Sequence, residues 1–333
     1  MIALNCRADR GAGLPIPAPN SYFLITTQIY PGVSLQKQIL LLSENTRELA
    51  AMHQLITALT LACLLSAAYS IQISAFNIRT FGDKKMSNVT IANIIVHLIE
   101  RNDIILIQEV RDADLSAVKI LMNKLQSSSA QTYSYIVSDP LGHSSYKERY
   151  LFIYRNSAVS VVNSYLYNDA SKNTGQDSFN REPFLVKFYS RYSVIHEFVI
   201  MPMHTSPSAA VKEIDALYDV FLDAKKKLGT DNMLIMGDLN ADCSYVKPTD
   251  WPHIRIRKDT QFQWLIPDTA DTTTTISTKC AYDRIIAVGS QLKNAVIDGS
   301  AAIYNFTRVL NLSNKMTLAV SDHYPVEVRL RAA

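Results

Sequence analysis

Apolar segments of strand length that end in polar residues recur along this chain, and the clearest is Met233-Leu-Ile-Met-Gly-Asp-Leu-Asn240. Its leading apolar run is too short for a buried helix and suits a buried strand. The chain can turn at Gly237, and Asp238 and Asn240, at alternate positions, can then face one point. An ordinary strand followed by an Asx-type turn is the alternative to a functional site. The residues at the ends of the other predicted strands must distinguish these two interpretations.

The order of strands and helices predicts a single α/β domain with sheets in the middle and helices outside. Ile71–Asn77 and Asp103–Glu109 are predicted strands, and the helix between them has Ser87 as its expected N-cap. Another amphipathic helix is predicted at Ala209–Leu228. Further strands are predicted at Tyr133–Val137, Arg149–Tyr154, Val159–Tyr165, Phe184–Tyr189, His196–Met201, Ile285–Val288 and Val326–Leu330.

The composition is that of a globular protein and limits how nucleic acid could be bound. The 333 residues are 48% hydrophobic and 19% charged, and the net charge is only +3. Such a small charge argues against a broad polybasic surface. Contacts to nucleic acid, if any, must therefore be local and assisted by a metal ion.

Residues 52–70 are predicted to form a secretory signal peptide. The run Leu55–Ala68 is uncharged, apolar and short for a membrane span, and Ala68-Tyr-Ser70 has small residues at cleavage spacing. A buried helix or a membrane anchor is the alternative for this run. Residues 1–51 show no periodic pattern and are expected to form an unstructured leader. We therefore expect a secreted protein, not bound to a membrane, whose mature domain covers residues 71–333.

Secretion gives a meaning to the cysteines and to the glycosylation sequons. Cys6 and Cys63 lie before the mature domain, so Cys243 and Cys280 are left to form one disulfide. Closing a loop of this length stabilises a fold by roughly 4 kcal/mol in the chain-entropy model. Sequons for N-linked glycans begin at Asn88, Asn305 and Asn311.

The polar groups at the predicted strand ends mix amides, carboxylates and imidazoles, which favours one shared site. In α/β sheets, functional residues collect beyond the ends of the strands. The candidates are Asn77, Glu109, His204, Asp238 with Asn240, and the pair Asp322 and His323. Most of them offer oxygen ligands and no cysteine accompanies them, so Mg²⁺, Mn²⁺ or Ca²⁺ is favoured over zinc.

The two histidines need carboxylate partners to act as acid and base, because a carboxylate fixes the tautomer and raises the pKa. Asp322 is next to His323 in sequence, but adjacent strand residues face opposite ways. Asp283 is therefore a candidate partner for His323, and Glu148 is a candidate for His204. The sequence alone leaves both pairs open, and ordinary ion pairs are the alternative.

Short segments spread from Ile71 almost to Leu330 resemble the deoxyribonuclease I family. They are Ser74-Ala-Phe-Asn-Ile-Arg79, Ile107-Gln-Glu-Val-Arg-Asp112, Ser145-Tyr-Lys-Glu-Arg-Tyr150, Phe179-Asn-Arg-Glu-Pro183, Glu213-Ile-Asp-Ala-Leu-Tyr-Asp219, Met236-Gly-Asp-Leu-Asn240, Cys280-Ala-Tyr-Asp-Arg284 and Ser321-Asp-His-Tyr-Pro-Val-Glu327. The resemblance implies a four-layer sandwich in which two packed mixed β-sheets are flanked by helices. It also implies a secreted, monomeric endonuclease that hydrolyses double-stranded DNA to 5′-phosphorylated oligonucleotides with little sequence specificity.

The resemblance further implies a role for each candidate residue. Glu148 would pair with His204 as the acid, and Asp283 with His323 as the base. Mg²⁺ or Mn²⁺ would be held by Glu109, Asp238, Asn240 and Asp322, with Asn77 and Arg181 as further polar groups at the phosphate. The minor groove and the phosphates of DNA would be contacted by Arg79, Arg111, Tyr146 and Arg181.

Structural Ca²⁺ and an actin contact are also implied by the resemblance. One calcium loop would use Asp169, Asp177, Phe179 and Glu182, and the other would use Asp271, Thr273 and Thr275. Tyr135 and Val137 suit a contact with monomeric actin. Phe184, however, stands where actin-binding members keep a small residue, and we expect its ring to hinder that contact.

Other classes of protein share parts of this pattern. A phosphatase or sphingomyelinase of the same superfamily would keep the metal ligands and histidines but lack the segment Ser145–Tyr150. An abasic-site nuclease would be intracellular, which the signal peptide and sequons oppose. A catalytically inactive actin- or DNA-binding module is the third alternative, although every expected catalytic residue is present.

Overall fold

The computed structural model of the chain describes residues 34, 36, 46–58, 70–168 and 178–333. Residues 46–58 are helical (α1) and precede a boundary at Cys63, after which Leu64–Ala333 forms a separate unit. Residues 59–69 of the predicted signal peptide lie outside the described part. Every helix that is described is too short or too polar to span a lipid bilayer.

The first sheet has six strands, which are β1 (Ile71–Phe81), β2 (Ile104–Val110), β3 (Tyr133–Val137), β4 (Arg149–Arg155), β11 (Ala302–Ile303) and β12 (Val326–Leu330). Their order across the sheet is β11-β12-β1-β2-β4-β3. β1 and β2 run parallel, and the other neighbours are antiparallel. A parallel pair inside an otherwise antiparallel sheet makes the sheet mixed.

The second sheet also has six strands, which are β5 (Ser160–Leu166), β6 (Phe184–Tyr189), β7 (Glu197–Pro202), β8 (Met233–Asp238), β9 (Gln263–Trp264) and β10 (Asp283–Val288). Their order is β5-β6-β7-β8-β10-β9, and β7 and β8 form its parallel pair. The two sheets pack face to face, because alternate residues of their strands share one buried cluster. That cluster includes Ile73, Leu106 and Phe152 from one sheet and Val186, Phe198 and Leu234 from the other.

Helices cover the outer faces of both sheets. Their bounds are α2 (Asp83–Met86), α3 (Val89–Glu100), α4 (Ser116–Ser128), α5 (Ala210–Leu228), α6 (Arg255–Lys258), α7 (Ser290–Ala295), α8 (Phe306–Val309) and α9 (Asn314–Val320), with 3₁₀ turns at Pro207–Ala209 and Trp251–His253. Ile95 of α3 and Leu121 of α4 pack against the first sheet, and Leu217 and Phe221 of α5 pack against the second. The predicted four-layer α/β sandwich is therefore confirmed.

Several local predictions differ from the structure. The N-cap of α3 is Asn88 and not Ser87, because Asn88 Oδ1 accepts the hydrogen bond from Ile91 N at 3.2 Å. β1 does not end at Asn77 but continues to Phe81, and its pairing with β2 shifts between these two residues. The segment before β12 contains three short helices that sequence periodicity did not predict, since each is too short to show a repeating apolar stripe.

The predicted disulfide between Cys243 and Cys280 is confirmed. The two residues are 37 positions apart, and their Cα atoms lie 6.0 Å from each other. The bond joins the chain that leaves β8 to the chain that enters β10. It therefore closes the long irregular segment between these two neighbouring strands.

Replacing both cysteines by serine is expected to lower the free energy of unfolding by about 4 kcal/mol, because the closed loop restricts the unfolded chain. Urea unfolding of the parent and of the double variant, followed by circular dichroism, measures the difference. Parent protein in reducing agent should lose the same amount. A loss below about 1 kcal/mol would contradict the chain-entropy account.

Candidate active site

The polar residues predicted from the sequence gather at one end of the sandwich, where each sheet has its parallel strand pair. Asp238 is the last residue of β8, and Asp283 lies opposite it at the start of β10. His204 follows β7 on the same sheet. Asn77 within β1 and His323 before β12 approach from the first sheet. The site is thus built from both sheets.

Two imidazoles are each held by a carboxylate. His204 Nδ1 lies 2.8 Å from Glu148 Oε2, and His323 Nδ1 lies 2.8 Å from Asp283 Oδ2. In both rings the carboxylate occupies Nδ1 and leaves Nε2 to face the site. These are the pairs that the family resemblance implies, whereas the residues alone had left them open.

Asp238 Oδ2 is the point on which the site converges. The Nε2 atoms of His204 and His323 each lie 3.6 Å from it, and Asn77 Nδ2 donates a hydrogen bond to it at 3.0 Å. Burial would raise the pKa of Asp238, but His323 and His204 outweigh burial and lower this pKa. Asp238 is therefore held as a carboxylate between two imidazoles.

The charge of His323 is set by its carboxylate neighbours. Burial would lower the pKa of this imidazole, but Asp283 and Asp238 outweigh burial and raise the pKa to about 10. At neutral pH, this arrangement of charges keeps His323 protonated. Any reaction that needs its neutral form must first weaken the attraction of these carboxylates.

Arg181 supports the first imidazole pair from behind. Its Nε and Nη2 donate to the carbonyl oxygens of His204 and Thr205 at 3.0 and 3.1 Å, and Nη1 lies 3.4 Å from Glu148 Oε1. With these bonds, its side chain is only 8% exposed. Nε, Nη1 and Nη2 of Arg181 therefore each have a partner within the protein, and a contact of Arg181 with a DNA phosphate stays a prediction.

Glu109 and Asp322 are treated as a second group, because each is held against the end of β1. Glu109 Oε2 accepts a hydrogen bond from Thr80 N at 2.8 Å, and Asp322 Oδ2 lies 3.5 Å from Arg79 Nη1. Asp322 Oδ1 lies 4.0 Å from His323 Nε2, which connects the two groups.

The predicted metal ligands Glu109, Asp238, Asn240 and Asp322 do not form one tight cluster. Among the described residues, one group of three at this site, Asp238, Asp283 and His323, has acidic and imidazole ligand atoms that all lie within 4.8 Å of one another. Asn240 directs its amide Nδ2 to Thr205 O at 3.1 Å. Strand ends alone could not reveal that Glu109 and Asp238 belong to different sheets.

The oxygen atoms of the site fit a divalent cation. Asn77 Oδ1, Asp283 Oδ1 and Asp322 Oδ1 are buried and have no hydrogen-bond donor among the described residues. Buried acceptor oxygens of this kind need a partner, and carboxylate and amide oxygens are the ligands of hard cations. The residues present can therefore hold such an ion.

Three residues predicted to contact DNA lie on the exposed rim of the site. The guanidinium of Arg111 lies 3.8 Å from the centre of the Tyr146 ring, and Tyr146 is 40% exposed. The Arg79 side chain is 56% exposed beside Asp322. An aromatic ring and two guanidinium groups are thus available to a ligand outside the catalytic centre.

The predicted calcium loops are only partly described. Asp169 and Asp177 lie outside the described residues, whereas Phe179 is buried against Tyr167 and Glu182 is half-buried. In the other loop, Asp271 Oδ1 accepts hydrogen bonds from the backbone N and the Oγ1 of Thr273 at 3.1 and 2.8 Å. Thr275 Oγ1 is buried without a partner among the described residues.

The Phe184 ring lies in the core, and this corrects the expectation that it obstructs an actin contact at the surface. Phe184 is only 9% exposed and packs into the core between the sheets. Its ring therefore does not stand out from the surface. Tyr135, by contrast, is 37% exposed on the edge strand β3.

Sequence reasoning missed two residues that hold the site together. Tyr150 OH accepts a hydrogen bond from His204 N at 2.9 Å, and the amide of Gln108 bonds to the backbone of Asp238 and Met203. The available signal was a lone amide in the apolar run of β2, just before Glu109. Because buried amides need hydrogen-bond partners, a glutamine at this position indicates a structural role.

Comparison with protein-family models and solved structures gives the class of this protein. Residues 75–323 match the Endonuclease/Exonuclease/phosphatase family. Humanized D. rerio TDP2 has a TM-score of 0.54 at 15% identity, covering 78% of this chain and 98% of that chain. The endonuclease/exonuclease/phosphatase from Bacteroides vulgatus has a TM-score of 0.55 at 16% identity, covering 80% and 100%. The structures share the fold with this chain.

Curated relatives are more specific than the fold. Deoxyribonuclease-1 of Homo sapiens is 53% identical over 273 residues, which cover 82% of this chain and 96% of the relative. The Gallus gallus protein is 56% identical over 274 residues, covering 82% and 97%. This chain belongs to the deoxyribonuclease I family of endonuclease/exonuclease/phosphatase proteins and is a DNA-hydrolysing nuclease of that type.

The raised pKa of His323 predicts a pH dependence of stability. The folded protein binds the proton of His323 more tightly than the unfolded chain does. In EDTA, the free energy of unfolding of the parent should therefore exceed that of His323→Asn by most below about pH 6.5. This difference should shrink as the pH rises through about 10. Urea unfolding across this range measures it. The exposed His97 on α3 supplies the control variant His97→Asn. A difference that stays constant with pH would contradict the charge arrangement.

Proposed function

We propose that this protein is a secreted endonuclease that hydrolyses phosphodiester bonds of double-stranded DNA with little sequence specificity and leaves 5′-phosphorylated oligonucleotides. The observation that carries the proposal is the convergence of two carboxylate-bound imidazoles on Asp238, each with Nε2 at 3.6 Å from the same oxygen. A phosphate placed there would lie beside both imidazoles, of which one in its neutral form could accept a proton and one in its protonated form could donate a proton. Hydrolysis by in-line attack of water needs both.

The two imidazoles divide the proton transfers in this proposal. His323, held by Asp283, takes the proton of the attacking water, and His204, held by Glu148, gives a proton to the leaving 3′ oxygen. Because the pKa of His323 is raised to about 10, its role as base requires that positive charge near Asp238 lower this pKa. Arg181 and Tyr150 keep His204 in position through its backbone.

Mg²⁺ or Mn²⁺ is the metal that we propose for the catalytic site. Glu109 and Asp322 on one side, and Asn77, Asp238 and Asn240 on the other, are the residues that would hold it and the scissile phosphate. When bound, such an ion supplies charge neutralisation for the phosphate and lowers the pKa of nearby acids. Asn77 Oδ1 and Asp322 Oδ1, which have no donor among the described residues, support this assignment.

DNA would bind across the rim of the site. In the proposal, Tyr146 contacts a sugar in the minor groove while Arg111 and Arg79 hold phosphates on either side. The exposure of these side chains supports such contacts. Because only a few cations take part, we expect binding with weak sequence preference that added salt weakens.

Structural and cellular assignments complete the proposal. We propose structural Ca²⁺ at the two loops, one at Asp271, Thr273 and Thr275 and one at Asp169, Asp177, Phe179 and Glu182. The former loop pairs directly with the catalytic segment, since Thr273 bridges to His323 and Thr274 N donates to Asp322 O at 2.8 Å. An ion there would therefore help to hold His323.

Residues 52–70 are proposed as the signal peptide of a secreted, monomeric protein, with residues 1–51 as its leader and 71–333 as the mature domain. N-linked glycans are proposed at the exposed Asn88, Asn305 and Asn311. Monomeric actin is a further proposed partner, at the exposed edge that carries Tyr135.

A plasmid-nicking assay tests the proposed function. Supercoiled DNA should be nicked with Mg²⁺ and left intact with EDTA, and His204→Ala or His323→Ala should each slow nicking by roughly 10²- to 10⁴-fold, because each removes one proton transfer. His253→Ala, at an exposed histidine far from the site in sequence, is the control. DNA ligase should reseal the nicks without a kinase, since the 5′ ends carry phosphate. Undiminished nicking by both histidine variants would refute the proposal.

A further inference from the structure

Gln108 links the two halves of the site through its side-chain amide. The residue belongs to β2 of the first sheet, directly before Glu109, and is completely buried. Its Nε2 donates to Met203 O at 2.7 Å, and its Oε1 accepts from Asp238 N at 2.9 Å. Both partners belong to the second sheet, one next to His204 and the other at the centre of the site.

The contact leaves no free space. A Cβ atom at Gly237 would lie 2.5 Å from Gln108 Nε2 and 2.4 Å from Met203 O, and the φ of Gly237 is +130°. Only glycine adopts this conformation readily and lets the amide approach so closely. The backbone before Asp238 is therefore shaped around the Gln108 side chain.

The backbone on the other side of Gln108 is strained. Glu109 has a φ of 57°, in the left-handed region that non-glycine residues rarely adopt, and the pairing of β2 with β4 shifts between Ile107 and Val110. Such a conformation persists only where the neighbouring structure fixes it. The two hydrogen bonds of Gln108 fix the residue immediately before this strained position.

We infer that Gln108 is a positioning residue, which sets the separation between Glu109 on the first sheet and Asp238 and His204 on the second. This inference rests on the proposed function, since the groups it positions are the proposed metal ligand and proton donor. Gln108 itself touches neither substrate nor metal in this account. Its effect reaches the reaction through the backbone of Asp238 and through the conformation of Glu109.

Gln108→Met, which keeps the volume and removes both hydrogen bonds, tests the inference. We expect kcat for plasmid nicking to fall by roughly 10- to 100-fold, as is common when a residue that orients metal ligands is lost. The affinity for Mn²⁺, measured without DNA by electron paramagnetic resonance, should weaken by a similar factor. KM for DNA should stay within about twofold, because Arg79 and Tyr146 lie on other segments and Arg111, which follows β2, is held by its own hydrogen bond from Arg111 N to Phe81 O at 2.8 Å.

Gln126→Met is the matched control. Gln126 Nε2, on the exposed side of helix α4, also donates to a strand carbonyl, Tyr133 O at 2.8 Å, and this bond involves no residue of the site. This variant should leave kcat and Mn²⁺ affinity unchanged even where it lowers the melting temperature. Equal losses of kcat in the two variants at equal melting temperature would overturn the inference.

Gln108→Glu keeps the acceptor for Asp238 N but puts a second oxygen of a buried carboxylate against Met203 O, so we expect a loss at least as large as that of Gln108→Met. If neither Gln108 variant folds, the inference is overturned, because the amide then serves the whole fold. A parent protein that does not nick DNA at all would instead refute the proposed function. A folded Gln108→Met with kcat and Mn²⁺ affinity like the parent would overturn the inference alone.

Discussion

The structure of the site depends on one buried carboxylate, Asp238, held between two imidazoles. Removing a carboxylate from water is costly unless opposite charge and hydrogen bonds compensate for it. His323 and His204 compensate with both Nε2 atoms at 3.6 Å, and Asn77 adds a hydrogen bond at 3.0 Å. These contacts offset the cost of burying Asp238, and they also direct both imidazoles to one point.

This convergence explains why the site needs two sheets that pack face to face, with their parallel strand pairs at the same end of the sandwich. Asn77 and Glu109 come from β1 and β2, whereas Asp238 and Asp283 come from β8 and β10. Neither sheet alone carries all of these residues, since Glu109 and Asn77 lie on the first sheet and Asp238 on the second. The sandwich core between them fixes their distance, because tightly packed interiors yield little. The geometry of the site therefore depends on how the two sheets pack against each other.

Much of this could be predicted from the sequence, and the failures share a physical cause. Apolar runs of strand length predicted most strands, and the identity of the polar residues that follow them predicted the chemistry. Sequence could not show that Arg181 is buried behind His204, that Phe184 lies inside the core, or that Glu109 and Asp238 stand in separate groups. These facts depend on packing between distant segments, which periodicity does not encode. Pairing of the histidines followed from family resemblance and not from spacing.

The central claim is that His204 and His323 act on one phosphate as a unit centred on Asp238. The most direct measurement is kcat for plasmid nicking by His204→Ala, His323→Ala and the double variant. If the imidazoles act together, the double variant should be within about tenfold of the slower single variant, because losing one already disables the shared step. If the two losses multiply in full, the imidazoles act independently and the account is contradicted.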